Sequence, residues 1–131
     1  MYRTIIASLI LLLIATPVFA NDDEGGSPTI SYYEIKPSLV ANLASGGKYI
    51  RTDIQVMTND ETFKESLELH GPAIRHALLL LLSEQDGRTL KTPEGKETLR
   101  KEALSAVSQI MKDLSGQDSL KELFFTTFFV Q

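Results

Sequence analysis

Cysteine is absent from the 131 residues, which removes disulfides, thiol nucleophiles and cysteine-based zinc sites at once. Histidine is nearly absent. His70 and His76 are the only two, and a spacing of six sets them about 120° apart on an ideal helix, so they do not converge as ligands. Positive charge is also scarce: 13 Lys and Arg against 17 Asp and Glu leave a net charge of −4, and no Lys/Arg cluster offers a surface to nucleic acid. Glu65, Glu68 and His70 match no metal-ligand spacing such as H-E-x-x-H, and helix charges at this density are ordinarily solvated. Ser45-Gly46-Gly47-Lys48 has the Gly-Lys pair of a phosphate loop without the rest of that pattern, and Lys48 enters a strand, so it reads as a hairpin turn. No serine stands in a G-x-S-x-G elbow, and two histidines supply no motivated Ser-His-Asp triad. The expectation is a non-catalytic protein with no catalytic, cofactor-binding or metal-ligating residues.

Ile5 to Ala20 is an uncharged, mostly apolar run of 16 residues, preceded by Arg3 and followed by Asp22, Asp23 and Glu24. With small residues at Val18 and Ala20 it reads as an export signal cleaved after Ala20. The rival is a retained membrane anchor, but at about 1.5 Å per residue the run reaches about 24 Å, short of a bilayer core of about 30 Å. Either way, positive charge before the run and acid after it export the remainder. Residues 21–28 (NDDEGGSP) form a flexible acidic leader, and residues 29–131 are expected to fold as one domain.

Within that domain Thr29 to Leu43 is strand-like, with Pro37 marking an edge or a bulge. After a turn at Ala44 to Gly47, Lys48 to Thr58 alternates, with Ile50, Ile54 and Val56 on one face; the two segments make a hairpin. Asp60 N-caps a helix whose stripe is Phe63, Leu67, Ile74, Leu78 and Leu81, kinked by Gly71-Pro72. Leu78 to Leu82 makes that half apolar all round, so it is expected to be covered on more than one side. Leu90 plugs the core from a loop begun by Asp86-Gly87. A second helix opens with Thr92 and Pro93, buries Leu99, Ala103, Val107, Ile110 and Leu114, and stops at Gly116.

Leu120 to Gln131 (LKELFFTTFFVQ) is a strand with two apolar faces: Phe124, Phe128 and Val130 on one, Leu123, Phe125 and Phe129 on the other. Such a strand belongs in the middle of a helix-covered sheet, or keeps one face for a partner chain. The resulting fold class is α+β, a hairpin plus a C-terminal strand in one sheet with two packed helices, order ββααβ. Leu79, Leu80, Leu82, Phe125 and Phe129 are candidates for core or for an oligomer contact. Lys91, Lys96, Arg100 and Lys101 are either a solvated helix face or a surface for an acidic partner or lipid head groups.

The order Asn42-Leu43, Lys48-Tyr49-Ile50, Pro72-Ala73-Ile74-Arg75 with the leucine run and Ser83, then Leu90, Thr92, Gly95-Lys96, Leu99 and Glu102, and finally Phe125-Thr126-Thr127-Phe128-Phe129-Val130-Gln131, resembles the FliL family of flagellar basal-body-associated proteins. The resemblance runs from about Tyr33 to Gln131 and lies in the order and spacing of these residues together. It implies a periplasmic domain at the inner membrane, similar to the stomatin/prohibitin (SPFH) type of fold, that assembles as a homo-oligomeric ring around the MotA/MotB stator. Such a protein supports rotation, swimming, swarming and chemotaxis, without cofactors and without catalysis. The family usually keeps a longer uncleaved helix and a linker before the domain. The short N-terminal run here therefore leaves an alternative, a soluble periplasmic adaptor of the same fold not tied to the motor.

Overall fold

The computed structural model describes residues 29–131, so the expected signal and acidic leader lie outside the described residues. The elements in chain order are β1 (Ser31–Asn42), β2 (Tyr49–Thr58), α1 (Glu61–Leu69), α2 (Gly71–Ser83), α3 (Gly87–Leu90), α4 (Pro93–Ser115) and β3 (Leu120–Val130). The α+β class is as expected, with the hairpin and the last strand in one antiparallel sheet. Helix α2 packs over β1, α4 packs over β3, and the two helices touch each other. Among the described residues one sheet face is covered by the helices and the other is open.

The strand order is β1-β2-β3, so β2 is central and β3 is an edge strand. This corrects the expected central place of the last strand. Strand β2 owes the centre to its alternation: Ile50, Thr52, Ile54, Val56 and Thr58 are all buried on the helix side. Its two buried hydroxyls are satisfied by main-chain oxygens. Thr52 Oγ1 donates to Thr127 O at 2.7 Å and Thr58 Oγ1 to Ser119 O at 2.8 Å, so the hydrogen bonds each hydroxyl loses to water on burial are replaced within the protein.

Both outer strands bulge opposite one residue of β2. In β1 the pairing jumps from Ile35↔Ile54 to Leu39↔Thr52, which leaves Lys36, Pro37 and Ser38 facing Asp53; the Lys36–Pro37 peptide is cis. Pro37 therefore sits both on an edge strand and in a bulge. In β3 the pairing jumps from Asp53↔Thr127 to Ile54↔Phe125, so Thr126 is an extra residue. The consequence is a change of face: Leu123, Phe125, Phe128 and Val130 turn to the helices, while Phe124 and Phe129 turn to the open side. The expected split, with Phe129 beside Phe125 and Phe128 beside Phe124, is overturned by that one inserted residue.

The predicted helix starts and stops hold. Asp60 Oδ1 accepts from the amides of Thr62 (3.0 Å) and Phe63 (3.3 Å), Thr92 Oγ1 accepts from Gly95 N (3.0 Å), and Gly116 ends α4 with φ 70°. Instead of one kinked helix, α1 and α2 are separate segments meeting at His70, one residue before Gly71-Pro72. Leu90 is buried as expected, carried by the single turn of α3.

Two expected stripes shift. Leu82 is buried where Leu81 was expected, and Met111 where Ile110 and Leu114 were; Ile110 is half-buried and Leu114 is exposed. Of the leucine run Leu78 and Leu82 are buried and Leu79 and Leu81 pack partly buried against the core, so β1 and α4 cover the helix on two sides as expected, while Leu80 on its back is 53% exposed. Among the described residues the fold has two layers, and no third lies over the back of the helix.

Candidate interaction surface

The open sheet face is built by the side chains that β2 and its neighbours turn away from the helices. Tyr32 pairs with Met57, Gln55 with Phe124, Val40 with Arg51 and Arg51 with Phe129. Two aromatic contacts bind the strands on this side, Tyr32 to Phe124 with ring centroids 6.4 Å apart and Tyr49 to Phe129 at 6.2 Å. Between them Asp53 carries a carboxyl held below the usual carboxylate range, by the hydroxyl of Ser38 and then that of Thr127. The face is thus apolar and aromatic at both ends with a charged middle.

Along the β3 edge the chemistry changes. Arg100 of α4 grips Glu97 through Nη2 and Nε (2.7 and 2.8 Å), Glu122 through Nη1 (2.5 Å), and donates from Nη1 to the main-chain oxygen of Leu123 at 3.3 Å. Arg100 holds the carboxyl of Glu97 below its ordinary range, and the two glutamates keep Arg100 firmly protonated. Lys96 stands 4.6 Å from the centre of the Phe128 ring, a cation–π contact. An open groove of about 420 Å³ runs between Lys91, Lys96, Arg100 and Phe124–Phe125, and a second of about 280 Å³ between Leu90, Lys91, Lys96 and Phe128–Val130.

Of the five candidate residues, Leu82 lies in the core and Leu79 and Phe125 are half-buried against it, while Leu80 and Phe129 are exposed. The structure does not bring Leu80 and Phe129 into one place: Phe129 is on the open sheet face and Leu80 is on the helix layer. Tyr32 and Val40, about half exposed, belong to the same open face as Phe129 and were missed. Alternation in β1 was the signal that could have found them, but Pro37 hid its phase.

The hairpin turn at Gly46 is a packing site, not a ligand loop. A Cβ on Gly46 would meet Asp86 Oδ1 at 1.9 Å, and Gly87 N donates to Ser45 O at 2.9 Å, so the turn is pinned to the loop after α2. Main-chain amides of Lys48 and Tyr49 both donate to the Gln131 oxygen, at 2.6 and 3.0 Å, which ties the same turn to the end of β3. His70 joins α1 to α2 and His76 is exposed on α2. Among the described residues no group of three or more His, Asp or Glu side chains converges, and no helix is long and apolar enough to cross a membrane.

Residues 32–131 match the family model of the flagellar basal body-associated protein FliL. Flagellar protein FliL of Aquifex aeolicus (strain VF5) is 26% identical over 101 residues, covering 76% of this chain and 60% of that protein. Flagellar protein FliL of Escherichia coli (strain K12) is 26% identical over 104 residues, covering 79% of this chain and 67% of the relative. The matched stretch therefore spans about three fifths to two thirds of the relatives' own length.

Proposed function

Since the chain belongs to the FliL family of flagellar basal body-associated proteins, we propose that it is a non-catalytic accessory of the flagellar motor that meets the MotA/MotB stator from the periplasmic side. The observation that carries this reading is the extent of the family match, which takes in every strand and helix except the first residue of β1. In the proposal, copies of the domain assemble into a ring in the stomatin/prohibitin manner beside the inner membrane, and that ring supports rotation, swimming, swarming and chemotaxis. Exposed Phe129 and Leu80, on opposite layers, are surfaces available to a neighbour and to the stator. The N-terminal run, cleaved after Ala20 or kept as an anchor, delivers the domain to this compartment.

In-cell photo-crosslinking tests it. A crosslinker placed at Phe129 or Leu80 is expected to capture MotB or a second copy, and a deletion strain is expected to swim and swarm poorly under load. Unchanged motility together with no stator adduct would leave the detached adaptor in its place. The size and first residue of the protein recovered from membranes decide between cleavage and retention: a start at Asn21 defeats the anchor.

A further inference from the structure

We propose that the free edge of β3 between Phe125 and Val130 is a docking site for an extended, acidic peptide segment of a partner protein, which adds to the sheet as a fourth strand. The phase of the edge is fixed by Gln131 and Tyr49, which exchange both main-chain hydrogen bonds at 3.0 Å. In an antiparallel ladder such pairs alternate with pairs that turn their N–H and C=O groups away, so Val130 and Phe128 present theirs outward. Leu123, two residues before Phe125, also turns its carbonyl outward, because Arg100 of α4 donates to it at 3.3 Å. Arg100 blunts the edge at that point. Among the described residues the outward main-chain groups of Phe125, Phe128 and Val130 make no hydrogen bond; Thr126 breaks the alternation after Phe125, so the regular edge is the stretch from Thr127 to Val130, about 13 Å long, with Phe125 beyond the bulge.

The flanks of this edge say what kind of strand fits. On the helix side stand Lys91 and Lys96, which line both grooves and form no ion pair among the described residues, whereas Arg100 is already taken by Glu97 and Glu122. On the opposite side stand the rings of Phe124 and Phe129. A strand laid along the edge alternates its side chains between these flanks. Acidic residues toward the lysines and apolar residues toward the phenylalanines are the complementary pattern, and the main chain supplies the remaining hydrogen bonds. This inference rests on the geometry of the edge and is independent of the motor reading.

The test is an amide map of the isotope-labelled full chain in detergent, titrated with a short peptide alternating Glu and Val and, as control, one alternating Lys and Val. The Glu/Val peptide is expected to shift and protect the amides of Phe125, Phe128 and Val130, with affinity falling between about 50 and about 300 mM salt. The double variant Lys91→Glu/Lys96→Glu, exposed at both positions and thus expected to keep its fold by circular dichroism, is expected to lose about tenfold or more in affinity. Equal binding of the Lys/Val peptide, or shifts confined to Tyr32 and Val40 on the open face, overturns the proposal. So do edge shifts that appear with protein concentration alone, which would assign the edge to a second copy. Loss of peptide binding with stator crosslinking intact refutes this site and leaves the motor reading standing.

Discussion

Asp53 shows how much a single position governs here. Both neighbouring strands depart from regular pairing opposite it, and its carboxyl is held down first by the Ser38 hydroxyl and then by that of Thr127, which are brought beside it by those two bulges. Glu61 is held down by the Ser31 hydroxyl at 2.5 Å and Glu97 by Arg100. A carboxyl whose folded pKa lies below its unfolded one stabilises the fold above the unfolded value, and that stabilisation is lost as pH falls through the folded value. The melting midpoint is therefore expected to hold steady above about pH 5 and to fall below about pH 4, with Asp53→Asn flattening part of the decline. An unchanged pH profile in that variant would remove Asp53 from the set. Gly95 is decided by space instead: a Cβ there would meet Thr89 O at 2.0 Å, where the start of α4 lies against α3. Gly95→Ala is expected to cost about 1–3 kcal/mol in urea unfolding, by forcing those two elements apart.

Strand β3 is where the element scale adds something that residues alone do not. The extra Thr126 exchanges the roles of two adjacent rings: Phe128 is half-buried against the core and contacts Phe125 at 5.0 Å, while Phe129 is 50% exposed. Phe128→Ala is expected to cost about 2 kcal/mol or more and Phe129→Ala less than about 1 kcal/mol, read as shifts in denaturation midpoint. The reverse order would mean that the strand runs without a bulge. Capping and periodicity were legible because they act within a few residues: Asp60, Thr92, Gly116 and the alternation of β2 all stand as read. The bulge was not legible, since two consecutive threonines in a β-rich run are compatible with either phase and only the partner strand decides. In α4 the buried residues Leu99, Ala103, Val107 and Met111 step by four, winding about 120° around the axis. The neighbours change from α3 at its start to α1 near its end, where Ser66 meets Gln117, and this turn of the buried line cannot be seen from one helix's own pattern. The candidate surface was half legible for the same reason: the phenylalanines and lysines stood out, but which ring faced which flank depended on the bulge.

At the scale of the whole molecule, the sheet closes only when its last strand arrives. Strand β2 is made early, yet the ladder that makes it central joins it to residues more than sixty positions later, and β1 alone leaves it an edge. Strand β3 brings Leu123 fully into the core and Phe125, Phe128 and Val130 partly, and its Thr127 oxygen satisfies the buried hydroxyl of Thr52. Four apolar side chains at roughly 1.5–3 kcal/mol for full burial give at most about 6–12 kcal/mol, as much as the entire margin of about 5–15 kcal/mol by which a domain of this size is stable. A chain ending at Ser119 also leaves Lys48 and Tyr49 without the Gln131 oxygen that holds the hairpin turn, and uncovers α4 where it had packed on β3. Such a chain is expected to give a broad, non-cooperative melt in calorimetry and to bind hydrophobic dyes at ambient temperature. Cooperative unfolding with the midpoint of the intact protein would show that β1, β2 and the helices form a self-sufficient core, with β3 an appended strand and its free edge only a peripheral feature.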